Sequence, residues 1–115
     1  MNIAKIRATI PASVDFLAID AARRKEYFEA FMQAALAELD VEGREPDAWE
    51  AGDLAYAIGL AFCGMYSAAV EYANRAITPT DQRAPGDFAR TVQSPTHSQL
   101  THALAELRST PAVQF

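Results

Sequence analysis

LAYAIGLAFCGMYSAAV, residues 54–70, carries no charge along its whole length. A membrane span needs about 18–20 apolar residues, so the run falls just short of one. Gly59 and Gly64 interrupt it, Ser67 follows, and much of its bulk is alanine. Gly64 marks a break, because glycine takes the left-handed geometry that ends a helix without steric cost. Ser67 is placed to cap the next helix through a backbone N–H. The stretch thus predicts two helices folded back on each other, with Pro46 to Ile77 as the central pair of the fold.

The first arm starts at Pro46, a residue suited to the first helical position. Asp47, Glu50 and Asp53 follow where negative charge meets the positive end of the helix dipole. Two faces of this arm differ in size. Ala48, Gly52, Ala55 and Gly59 form a small-residue groove that lets a neighbouring backbone come close, whereas Leu54, Ile58 and Phe62 form a bulky stripe. The second arm sets Tyr66, Val70, Ala73 and Ile77 on one side.

Working outward, residues 20–39 repeat apolar positions at the helical period: Tyr27, Phe28, Phe31, Met32, Ala35, Leu36 and Leu39 share a face. Ser94-Pro95 opens a last helix with Leu100, Ala103, Leu104 and Leu107 as its stripe. Residues 1–12 alternate weakly and fit a strand, a frayed helix or a tail; with no second strand to pair with, an extended arm lying on the helices is expected. Residues 78–94 read as a long loop, with one helical turn over Asp87–Val92, and residues 110–115 as a loose tail. The expected fold is all-α, a single domain over 1–115: a small bundle of about four helices around the hairpin.

Composition narrows the function classes. The net charge is −5 and half the residues are hydrophobic, which opposes direct nucleic-acid binding and disorder over the whole length. A single cysteine, no signal-like start and no span favour a cytoplasmic protein. Cys63 sits in an apolar run, where a cysteine behaves as a small buried hydrophobe rather than a nucleophile. His97 and His102 are five apart and share no helix face, and no third ligand accompanies them, so no metal or other cofactor is expected.

Residues 64–77 resemble the second half of a tetratricopeptide repeat: a Gly-x-Tyr turn, then Ala69 and Ala76 at its two small positions, with Pro79 near its closing proline. Ile58-Gly59 and Phe62 look like the first half. One such unit cannot make a solenoid, so the resemblance implies a repeat-like hairpin capped by the flanking helices. A second likeness is to the small terminase subunit of some tailed phages. It rests on Arg24-Lys25-Glu26-Tyr27, on residues 64–77 and on the Arg83-Ala84-Pro85 to Phe88 loop, and it implies a DNA-packaging component.

The expected function is a non-catalytic protein-interaction module, a small bacterial or phage adaptor, chaperone or inhibitor. A groove between the first helix and the hairpin would take a partner's segment. Glu42, Glu45, Asp47, Glu50 and Asp53, from the densest acidic stretch, would steer a basic partner, and Tyr56, Tyr66 and Tyr72 would line the groove. A homodimer is compatible with the same features. The packaging component is the alternative, and a small enzyme ranks last.

Overall fold

Five helices account for the secondary structure in the computed structural model, which describes residues 1–79 and 90–113. They are α1 (Ile3–Arg7), α2 (Ala21–Glu42), α3 (Ala48–Phe62), α4 (Tyr66–Ile77) and α5 (His97–Arg108), and no strand occurs among the described residues. Each boundary has a chemical cause. Asp20 caps α2 by accepting the Arg23 N–H at 2.8 Å, and Gly43 ends the helix with φ at 65°. Asp47 opens α3 through a reciprocal capping box: the Glu50 N–H donates to its carboxylate, and the Glu50 carboxylate accepts the Asp47 N–H. Thr96 and Gln99 do the same for α5.

The chain reverses at Gly64, as its sequence implies. Its φ is 80°, and the Met65 N–H closes back on the Leu60 carbonyl at 2.9 Å, satisfying an end carbonyl of α3. Two start points differ from expectation. Pro46 precedes the cap instead of entering α3, because the Asp47–Glu50 box satisfies two orphan N–H groups where a first-position proline removes one. Ser67 lies inside α4, which begins at Tyr66 directly after the glycine turn and without a side-chain cap.

The four long helices form a ring. α4 packs between α3 and α2, and α5 packs between α3 and α2 on the other side; α2 and α3 lie diagonally and barely meet. The tightest seam is α3 on α4. Ala51, Ala57 and Ala61 of α3 and Ala69, Ala73 and Ala76 of α4 are all buried, and methyl side chains let two helix backbones approach at the short end of the usual 8–10 Å. Phe28, Phe31, Met32, Leu39, Tyr66, Leu100, Leu104 and Leu107 fill the centre.

Three expectations are corrected. The small residues Gly52 and Gly59 do not receive a neighbouring backbone: both are exposed, and a Cβ on either would meet nothing within 4 Å. The buried face of α3 carries Leu54 and Ile58 beside Ala51, Ala57 and Ala61, and this larger apolar face takes the interior in place of the glycines. The N-terminal arm is not extended. Asn2 accepts the Lys5 N–H and starts α1, which buries Ile6 and reaches α4 through Arg7 to Asn74 (2.8 Å) and Thr78 (2.9 Å). The tail is held as far as residue 113, whose N–H donates to the Tyr66 hydroxyl at 3.0 Å. Of the expected 78–94 loop and its helical turn, residues 80–89 lie outside the described residues, as do 114 and 115.

Replacing Gly64 by alanine forces a Cβ into the left-handed region and is expected to destabilise the fold by about 1–2 kcal/mol. Urea unfolding checks this: the midpoint falls while the m-value holds.

Candidate functional site

A cleft runs between α2 and α5. Residues at helical spacing on each helix line it: Gln33, Leu36, Ala37 and Asp40 on one wall, His97, Thr101, Leu104, Ala105 and Arg108 on the other. Leu36 and Leu104 are buried and form the floor, while Ala37 and Ala105 face outward. Two methyl groups at the rim leave a space of about 280 Å³.

Polar groups hold the two ends. At one end His97 Nε2 lies 2.8 Å from the Leu36 carbonyl oxygen and 3.3 Å from Asp40 Oδ1. A nitrogen facing a carbonyl oxygen must carry the proton, so the ring donates from Nε2. The His97 backbone N–H donates to Glu45 at 2.9 Å, tying the first turn of α5 to the α2–α3 turn. At the other end Arg108 donates to Gln33 and lies 3.5 Å from Glu29, which also takes Lys25 at 2.7 Å. An apolar floor with donors and acceptors at both ends suits a short peptide segment.

The residues expected to form one site fall in three places. Glu42, Glu45, Asp47 and Glu50 gather at the α2–α3 turn, each engaged within the chain. Arg44 grips Glu50 with two nitrogens at 2.7 and 2.9 Å and also bonds Glu42, whose other oxygen meets the Met1 amino group. Asp47 caps α3. Arg90 donates to the Pro46 carbonyl and so binds the segment before α5 to the same turn. Much of the acidic stretch is therefore a brace.

Burial alone would push the Glu50 carboxyl up; the Arg44 guanidinium and the Asp47 N–H outweigh it and hold the group below the usual carboxylate range. Glu42 is lowered too, by the Met1 amino group first and then by Arg44.

Tyr56, Tyr72 and Asp53 meet on the outer seam of α3 and α4. The two tyrosine rings are 4.6 Å apart and tilted. The Arg75 guanidinium lies 5.1 Å from the Trp49 ring and 5.9 Å from the Tyr72 ring, with Asp53 at 3.5 Å from its Nε. Tyr66 belongs to no groove; it is a core residue. The groove expected between the first helix and the hairpin is filled at the α2–α4 seam by Phe28, Phe31, Met32, Ala69 and Ala73, and the open cleft lies between α2 and α5. Cys63 is exposed, not buried, because α3 ends at Phe62 and the chain turns away beneath it. His102 pairs with Glu106 at 3.1 Å, and no cluster of metal-binding side chains occurs among the described residues.

Acid should weaken the brace. A group lowered in the folded state lends stability above its unfolded pKa and loses it as pH falls through the folded value. The urea midpoint is expected to hold from pH 7 to about 5 and to fall below about 4.3. Arg44→Met should cost about 1–2 kcal/mol at pH 7 by leaving Glu50 buried with one partner fewer, Arg44 itself being partly exposed. In that variant the Asp47 N–H is left to oppose burial without the guanidinium, so the Glu50 share of the pH dependence shrinks.

Compared with protein-family models, with curated proteins and with solved structures, the chain matches none, so the chemistry of the cleft is the guide to its occupant.

Proposed function

We propose that the chain is a non-catalytic protein-interaction module that takes a segment of a partner protein in the cleft between α2 and α5. The observation that supports it is the cleft itself, an apolar floor of Leu36 and Leu104 under a rim opened by Ala37 and Ala105. Recognition of this kind places one or two apolar side chains of the partner on the floor and pairs its polar groups with the ends. Gln33 and Arg108 supply one end, Asp40 and His97 the other.

Charge sets the partner's character. The Asp40 side chain is 72% exposed at the rim, and the whole chain carries −5. A basic segment is drawn to such a surface, chiefly through its association rate. The adaptor role follows from this: the module binds, and its partner carries the chemistry.

The test fills the cleft. Ala37→Trp and Ala105→Trp, each on the exposed rim, should leave the helical circular-dichroism spectrum and melting temperature intact. Each should abolish retention of one stoichiometric basic protein from a lysate of the source cells, a protein held by the unaltered chain. The association rate of the purified pair should fall as salt rises. The same partner retained equally by both filled variants would contradict the assignment.

A further inference from the structure

The bonds already made by the walls of the cleft select what can lie in it. α2 and α5 run antiparallel across it: Leu36 and Asp40 face His97, and Gln33 and Glu29 face Arg108. The lining residues between these ends sit in helix bodies, whose backbone N–H and carbonyl groups are spent on their own turns. The Thr101 hydroxyl donates to the His97 carbonyl at 2.9 Å, and the His97 ring donates to Leu36. No strand edge occurs among the described residues to pair with a partner's backbone. An extended segment laid on Leu36 and Leu104 would bury backbone groups with nothing to bond. A helix avoids that cost by bonding within itself.

Charge distinguishes the two ends. Arg108 donates to Gln33 through Nη2 and lies 3.5 Å from Glu29 through Nε, while its Nη1 has no partner among the described residues. Lys25 also bonds Glu29, so two cations share one carboxylate at this end. At the other end Asp40 turns Oδ1 to His97, and its Oδ2 has no partner among the described residues. Glu45 lies beside it on the His97 N–H, and the nearby Arg90 is engaged by the Pro46, Ser94 and Pro95 carbonyls. Gln33 and Asp40 are seven residues apart, about 10 Å along α2.

We propose, resting on the assignment of the cleft above, that its occupant is an amphipathic helix of a partner protein. That helix carries a Lys or Arg and an Asp or Glu two turns apart, at i and i+7, with apolar side chains between them at i+3 and i+4. The basic side chain meets Asp40, the acidic one meets Arg108, and the apolar pair stands over Leu36 and Leu104. Ala37 and Ala105 at the rim let this third helix come down between α2 and α5. The partner's net charge then governs how fast it arrives, and the charge pair governs where it seats.

Two displayed peptide libraries of equal diversity, selected on the full chain, test it. One randomises i, i+3, i+4 and i+7 of an alanine-rich helix; the other randomises the same number of positions in a frame held extended by flanking prolines. Binders that are lost on Ala37→Trp are expected from the helical library, with Lys or Arg and Asp or Glu at its outer positions. In a synthetic copy of the strongest binder, replacing the basic residue by alanine should weaken binding to the unaltered chain about 2–5-fold and leave binding to Asp40→Asn unchanged. Replacing the acidic residue should do the same against Arg108→Gln; each cycle cancels any general loss in the variant. Cleft-dependent binders from the extended library, or helical binders without this coupling, overturn the proposal while leaving the cleft as the binding site. No binder sensitive to Ala37→Trp in either library overturns both. Self-association of the chain in sedimentation equilibrium, abolished by Ala37→Trp, would make a second copy the occupant and overturn the proposal as well.

Discussion

The close approach of α3 to α4 is the constraint on which the rest of the structure depends. Six buried alanines allow it, and the left-handed turn at Gly64 returns the chain at once so that they can meet. Alanine faces bury little area each, so their value lies in the dispersion attraction between two closely apposed backbones. With the pair formed, its two flanks must be closed by larger side chains. α2 closes the α4 flank with Phe28, Phe31 and Met32, and α5 closes the α3 flank with Leu100, Leu104 and Leu107.

The cleft is a consequence of that ring. α2 and α5 meet last, on the side opposite the tight seam, and Ala37 and Ala105 at their rim leave the joint short of side chains. The α2–α3 turn holds the joint in place. Arg44 fixes Glu50, Glu45 takes the first N–H of α5, and Arg90 binds the Pro46 carbonyl. Acidic residues that look in sequence like a docking patch thus act mainly on the geometry of the cleft's far end, and Asp40 is the carboxylate that lines it.

Much of this was legible in the sequence. The all-helical class, the reversal at Gly64 and the inward face of α2 followed from glycine chemistry and helical period. The capping boxes Asp47–Glu50 and Thr96–Gln99 were written there too, and were stronger signals than Pro46 or Ser94-Pro95, because each satisfies two backbone groups. Asn2 likewise preceded two isoleucines three apart, enough for one short helix. The rotation of α3 was legible in part: Leu54 and Ile58 of the bulky stripe face the interior as their size implies, whereas Phe62 of the same stripe is exposed and Gly52 and Gly59 open to solvent instead of meeting a backbone. The cleft was not legible. It exists only where α2 lies beside α5, and Gln33, Ala37, Thr101, Ala105 and Arg108 taken singly are ordinary solvent-facing residues. Tyr66 misled for the converse reason, since its ring is buried and its hydroxyl accepts the Val113 N–H of the C-terminal segment.

The facing of α3 can be measured directly. In a Cys63→Ser background, single cysteines placed along residues 51–61 report burial through their rate of thiol labelling under native conditions. Ala57 and Ala61 positions should be protected to the level of global unfolding, and Gly52, Tyr56 and Gly59 positions should label within the dead time at micromolar chain concentration. Protection at 52, 56 and 59 with ready labelling at 57 and 61 would mean that the glycine face packs on α4, and the architecture set out here would be wrong.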